Sequence, residues 1–321
     1  MHYSNATNIP SAVAVFLATD NYDYDPNTIS ATALLKPLRQ LILSRRVPQE
    51  QTVMDISSMV KSRIGSAIHD AIERAWLTNY KQAFKALGYP EGMIERIAVN
   101  PTEILPNQIP VYLEQRLYKN LGERTIAGKF DIVMDGQVQD FKSTGTFTLV
   151  NGVKDDDYIM QGSIYRWLDP KLITKETIQI NFILMDWSAA RALNDPTYPQ
   201  SPCPSKTFSL KSVEETEMFI QHKLKQIEIY KDAPEEDIPL CTDKELWRSE
   251  PEYKYYKDKT KMTRSTKNFA TYDEALQRFV ADGSVGIVVT KPGQVTACKY
   301  CSAFPVCKQK DALIASGDLT L

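Results

Sequence analysis

The stretch Arg124–Thr144, RTIAGKFDIVMDGQVQDFKST, constrains the fold of this chain more than any other. Two short apolar runs flank Asp135-Gly136. An Asp-Gly dipeptide in that setting predicts a type I′ hairpin, because both central positions need φ > 0. A two-residue turn pairs Met134 with Gln137, Val133 with Val138, Ile132 with Gln139, and Asp131 with Asp140. The last pair is of the close, non-hydrogen-bonded kind, with Cβ atoms roughly 4.5–5.5 Å apart. Like charges placed opposite each other repel, and a divalent cation between them would remove the repulsion. Lys142 lies two residues beyond Asp140 and shares its face. Two carboxylates and an ammonium on one sheet face form a candidate site for metal-dependent hydrolysis.

Other segments supply neighbours for that hairpin. Residues 55–87 carry the longest periodic pattern. Val60, Ile64, Ile68, Ile72 and Trp76 recur every four residues, which predicts an amphipathic helix capped by Ser57 or Ser58. Gly65 and His69 share an adjacent stripe. A mid-helix glycine costs about 1 kcal/mol relative to alanine, so Gly65 predicts close approach of another backbone. A single helical histidine reads as a packing residue until other ligands join it. Residues 109–118 alternate like a half-buried strand, giving three antiparallel strands after the helix with Glu114 as an outer acid. Residues 155–170 form a helix opened by an acidic run and stopped by Pro170, with Gln161 and Tyr165 on one face. The β-branched run 176–187 predicts a buried strand, hence a βαβ crossover. Residues 212–232 predict a helix with a capping-box start.

Composition excludes several classes. At 321 residues the chain can build one large domain or two smaller ones. A net charge of −2 and a pI near 6.0 leave no global basic footprint, against a histone-like coating protein but not against an enzyme with a basic groove. No run reaches the ~18 apolar residues of a membrane span. The segment IPSAVAVFLA has the length of a signal-peptide core, but no Lys or Arg precedes it and Asp20 follows. It reads as a buried strand or helix, and the chain is expected in the cytoplasm. Residues 28–48 predict a helical stretch opened by Thr28 or Ser30 and interrupted near Pro37. Its Lys36, Arg39, Arg45 and Arg46 form either a solvated face or a contact to a nucleic-acid backbone. The Lys- and Tyr-rich run 244–270 is either a surface hairpin or a base-stacking surface. No G-x-x-x-x-G-K-[ST] phosphate loop occurs, against a nucleotide-hydrolysing motor of that kind. Five cysteines include a cluster at Cys298, Cys301 and Cys307, a pattern that in an intracellular protein points to metal or cofactor ligation.

The ordered set Gly65-x-x-x-His69, Gly128-x-x-Asp131, Asp140-x-Lys142 and Gln161-x-x-x-Tyr165 resembles the PD-(D/E)XK nuclease superfamily. More narrowly it resembles the RecB-like, AddB-like exonuclease branch, which includes CRISPR-associated four-cysteine nucleases and many phage exonucleases. The resemblance spans about residues 60–187, with the C-terminal cysteines as a further part. It implies an α/β, restriction-endonuclease-like core: a mixed central sheet flanked by helices, plus a small cysteine-stapled C-terminal module. It also implies that His69, Asp131 and Asp140 hold Mg²⁺ or Mn²⁺, with Glu114 as a further acid, and that Lys142 is catalytic alongside Asp131 and Asp140. Gln161 and Tyr165 would help hold the substrate strand.

The C-x₂-C-x₅-C tail resembles the iron–sulfur staple of that branch. In the best-known members the fourth cysteine precedes the His motif, but this chain has none before Cys203. Cys241 or Cys203 must therefore serve, and Cys241 is favoured because it opens the same module. Such a set suits a 4Fe–4S cluster or structural Zn²⁺, and the tail spacing favours the cluster. The expected organisation is an N-terminal helical segment (1–56), a nuclease core (57–232) and a cysteine module (233–321). The implied function is a metal-dependent DNA exonuclease acting on linear single- or double-stranded ends in recombination, repair or phage DNA metabolism, with a recombination protein as a candidate partner. An endonuclease of the same fold and a DNA-binding accessory subunit with a vestigial site are the alternatives.

Overall fold

The computed structural model describes residues 2–19, 25, 28–48 and 53–321; Asp20 lies outside them. By internal packing the chain divides into two units, Met1–Leu35 with Thr52–Leu224, and Lys36–Gln51 with Lys225–Leu321. The first unit opens with β1 (His2–Ser4), α1 (Ser11–Ala18), β2 (Thr28–Ser30) and α2 (Ala31–Leu34). The chain then contributes α3 (Leu38–Leu43) to the second unit. It returns to the first as β3 (Val53–Asp55), α4 (Val60–Thr78), α5 (Tyr80–Ala86), α6 (Glu91–Ile94) and β4 (Ile97–Val99). Five strands follow: β5 (Ile109–Leu113), β6 (Arg116–Leu121), β7 (Arg124–Lys129), β8 (Ile132–Met134) and β9 (Gln137–Thr144). Next come α7 (Thr146–Asn151), α8 (Asp155–Leu168), β10 (Thr177–Leu184), α9 (Ala189–Asn194), β11 (Ser205–Ser209) and α10 (Val213–Tyr230).

Among the described residues, six strands make the main sheet in the order β11–β10–β9–β8–β5–β4. The β9–β10 and β4–β5 pairs are parallel and the others antiparallel, so the sheet is mixed. The expected crossover is present: β9 and β10 run parallel with α7 and α8 between them. Sheets containing parallel pairs are covered on both faces, and this one is. On one face Ile164, Tyr165 and Trp167 of α8 join Val133, Val138, Ile178 and Phe182 in a buried cluster. On the other, Trp76, Tyr80 and Phe84 pack against Val111, Leu113 and Ile132. α10 begins with a reciprocal capping box, Glu215 N–H to Ser212 Oγ at 3.0 Å and Ser212 N–H to Glu215 Oε2 at 2.9 Å.

Several expectations change. The segment 109–118 is not one strand, because it breaks at Glu114, whose φ is +50°. β7 pairs with β6 on one side and β2 on the other in a separate three-stranded sheet. The segment 28–48 begins as a strand rather than a helix. Ser30 caps α2 by accepting the Ala33 N–H at 3.1 Å, and Pro37, which fixes φ and lacks a donor, separates α2 from α3. IPSAVAVFLA does yield a helix, α1, but only Leu17 is buried and Val15 is 68% exposed. α4 carries its apolar stripe, yet no residue of it is fully buried.

In the second unit, β12 (Glu252–Tyr256), β13 (Lys267–Phe269) and β14 (Ile287–Lys291) form a sheet in the order β13–β12–β14. It is accompanied by α11 (Tyr272–Ala281) and α12 (Lys308–Ala315). Tyr255 and Tyr256 are core residues, so the Lys- and Tyr-rich run does not present them for stacking. Segment 36–51 belongs to this unit rather than to an N-terminal region ending at residue 56. Its Arg39 is 3% exposed, ion-paired with Glu235, and donates to the Ile238 carbonyl at 2.9 Å. Arg46 donates to the Ala233 carbonyl at 2.7 Å. Both arginines brace their own unit, which removes them from the nucleic-acid reading of segment 28–48. No helix among the described residues is long and apolar enough to cross a membrane.

Candidate metal centre

The opening hairpin forms as its sequence dictates. Asp135 and Gly136 take φ of +48° and +74°, and the rungs are Met134–Gln137, Val133–Val138 and Ile132–Gln139. The ladder stops there. Asp131 does not simply face Asp140; its Oδ2 accepts the Phe141 N–H at 2.7 Å, and its Oδ1 lies 3.3 Å from His69 Nδ1. The repulsion expected between two opposed carboxylates is relieved by giving each its own partners.

His69 is brought in by α4. One turn earlier, a Cβ on Gly65 would sit 3.2 Å from Ser143 Oγ on β9, so the close neighbour is a side chain rather than a backbone. The His69 Nε2 lies 3.1 Å from the Phe141 carbonyl. A carbonyl only accepts, so Nε2 carries the proton and Nδ1 is left to ligate. Glu114, held at the strand break, places Oε1 3.8 Å from the same Nδ1, while its Oε2 pairs with Lys129 Nζ at 2.7 Å. A non-glycine residue at positive φ is strained and persists where the surroundings impose it, often at functional sites. Donor atoms of His69, Glu114 and Asp131 all lie within 4.8 Å of one another, so the trio could hold a metal ion. Among the described residues no other trio of His, Cys, Asp or Glu gathers as closely.

The electrostatics match. The neighbouring Asp131 and Glu114 carboxylates raise the His69 pKa to about 10 against the opposing effect of burial. Burial works to raise the Glu114 carboxyl, but His69 and Lys129 hold it below its usual range. The trio thus creates a negative pocket in which a proton on His69 occupies the place of a cation.

Asp140 lies outside the trio. It is 1% exposed, its Oδ2 is 2.5 Å from Lys142 Nζ, and its Oδ1 accepts from Gln161 Nε2 at 3.1 Å. Burial pushes the Asp140 carboxyl upward; the Lys142 ammonium, disfavoured by its own burial, is held above its usual range by Asp140. Lys142 is therefore an ammonium here, suited to orienting a nucleophile or neutralising charge rather than to accepting a proton. Gln161 also donates to Tyr165 Oη at 2.8 Å, and Tyr165 donates to the Lys129 carbonyl at 2.8 Å. Gln161 and Tyr165 are 7% and 3% exposed. Their polar atoms bond Asp140 and the strand that carries Lys129. Gly128 makes this possible: a Cβ there would lie 2.9 Å from the Tyr165 ring.

Two participants were not singled out from the sequence. Lys129 pairs with Glu114 and carries the carbonyl that anchors Tyr165; its place two residues before Asp131 was the available signal. Tyr158 lies beneath Lys142, 5.6 Å from Nζ to ring centroid, and sits three residues before Gln161 on α8. A cleft of about 740 Å³ opens beside the trio, lined by Phe16, Arg63, Ser66, His69, Glu114 and Lys129 among others.

The cysteines divide between the units. Exposed Cys203 lies in the first; Cys241, Cys298, Cys301 and Cys307 lie in the second. Burial pushes the Cys241 thiol up to about 12, with smaller contributions from Glu245, Cys307 and Cys301. Arg39 Nε lies 3.4 Å from Cys307 Sγ.

No family model matches the chain, and no curated protein matches it. Solved structures that resemble it include SSO0001, at 14% identity and a TM-score of 0.40, over 67% of this chain and 81% of that one. A phage related exonuclease from Haemophilus somnus 129PT resembles it at 14% identity and a TM-score of 0.29, over 64% of this chain and 93% of its own. Likenesses this distant leave the chemistry of the site to its own geometry.

Proposed function

We propose that the chain is a Mg²⁺- or Mn²⁺-dependent DNA exonuclease that hydrolyses phosphodiester bonds at linear DNA ends. The observation that carries this reading is the His69–Glu114–Asp131 trio beside the Asp140–Lys142 ion pair. Oxygen-rich donor sets suit hard divalent cations. Such an ion supplies Lewis-acid polarisation of a phosphoryl oxygen and a more acidic bound water. In this reading His69, Glu114 and Asp131 hold it, with Asp140 alongside. Lys142, kept as an ammonium, orients the attacking water and offsets charge that grows on the phosphate. Gln161 and Tyr165 fix Asp140 and Lys142 in place.

Purified protein incubated with end-labelled linear DNA and Mn²⁺ should release nucleotides progressively, and Asp140→Ala should not. No degradation, or degradation undiminished in Asp140→Ala, would sink the proposal. Closed circular DNA should survive; its cleavage would turn the reading to an endonuclease.

We also infer that Cys241, Cys298, Cys301 and Cys307 hold a 4Fe–4S cluster. What supports this reading is the C-x₂-C-x₅-C spacing of Cys298, Cys301 and Cys307, with Cys241 in the same unit. Anaerobically purified protein should be brown and carry iron; zinc without iron would overturn this.

A further inference from the structure

Among the described residues, little covers the apolar helix α1. It is anchored through Leu17, which is 2% exposed, and through Arg63 Nε, which donates to the Leu17 carbonyl at 3.1 Å. That attachment fixes α1 against α4 and leaves the adjacent Phe16 43% exposed on the wall of the 740 Å³ cleft. The same cleft is lined by His69 and Glu114 of the trio, and by Lys129. Its α4 wall alternates small residues, Ser62, Gly65, Ser66 and Ala67, with the polar side chains of Arg63, His69 and Asp70. A volume of this size lies in the range that encloses a small ligand. An anchored aromatic ring at one part of a polar cleft, with a metal-capable trio and cationic side chains at another, matches a nucleotide: a flat base with two π faces joined to an anionic phosphate.

We propose that Phe16 is a base-stacking contact, receiving an unpaired nucleobase next to the phosphate presented to the trio. The inference rests on the nuclease reading above and extends it to a residue outside the motifs. Stacking requires an open base face, so the contact selects a frayed or single-stranded nucleotide; within a duplex both faces are already covered by neighbouring bases. Because aromatic stacking accepts every base, Phe16 confers affinity without sequence preference.

The test uses the full chain and a single-stranded oligodeoxynucleotide carrying terminal 2-aminopurine, with Ca²⁺ in place of Mg²⁺. Stacking quenches 2-aminopurine fluorescence. Wild type should quench the probe, Phe16→Ala should lose the quenching and bind roughly ten-fold more weakly, and Phe16→Trp should restore both. Equal quenching by wild type and Phe16→Ala, or none by either, overturns the proposal. Failure of the digestion experiment together with Phe16-dependent quenching would instead retire the nuclease reading and leave a nucleic-acid-binding cleft.

Discussion

The trio and the ion pair occupy neighbouring parts of one sheet yet solve opposite electrostatic problems. His69 and Glu114 are half-buried and line an open cleft, and the negative charge they gather with Asp131 is offset by Lys129 and by a proton on His69. Asp140 and Lys142 neutralise each other and are closed over by Gln161 and Tyr165. The first arrangement could take up a cation. The second is built to hold a charge in a fixed place. Under the proposed function, the contrast would place affinity for metal at one end and rate at the other.

Substitutions should separate the two. Lys142→Ala should lower kcat roughly 10²–10³-fold, as loss of a positioned charge in a site of this kind does, while Mn²⁺ affinity changes little. A matching collapse of Mn²⁺ affinity would erase the distinction. Glu114→Gln should do the reverse, weakening Mn²⁺ binding about 10–100-fold by calorimetry. Gln161→Ala leaves the buried Asp140 Oδ1 without its donor and should cost about 1–3 kcal/mol in denaturant unfolding. An unchanged midpoint would show that the pair does not depend on this closure.

The trio should also make stability and metal binding depend on pH. The folded His69 pKa is about 10 against 6.5 for the free side chain. Because the folded value is the higher, its stabilising contribution is complete below pH 6.5 and is lost as pH rises through 10. Metal-free protein should therefore lose thermal stability across that window. Metal must displace the same proton, so Mn²⁺ binding should tighten by up to about ten-fold per pH unit within it and release about one proton. Calorimetry in buffers of different ionisation heat would detect that proton.

The hairpin was legible because its register follows from Asp135-Gly136 alone, and so was the crossover, because the apolar, β-branched run of β10 reads as a buried strand, and Ile178, Ile180, Phe182 and Leu184 are indeed buried. Burial of Gln161 and Tyr165 was not legible. Their i, i+4 spacing places them on one face of α8 without saying which face packs inward, and closure on the sheet depends on Gly128, distant in sequence. The strand break at Glu114 was hidden for a related reason. Residues 109–118 alternate throughout, and it is the positive φ of Glu114, +50°, that turns the chain out of the ladder. Arg39 and Arg46 looked like surface charge because their acceptors, on residues 233–238, lie almost two hundred positions away.

The central claim is that His69, Glu114 and Asp131 hold the catalytic divalent cation. Titration of Mn²⁺ followed by electron paramagnetic resonance tests it most directly, since free and bound Mn²⁺ give distinct signals. Wild type should bind Mn²⁺ stoichiometrically, Lys142→Ala should bind it equally well, and Asp131→Asn should lose the bound signal. Retention of that signal by Asp131→Asn, in protein that is still folded, would contradict the account.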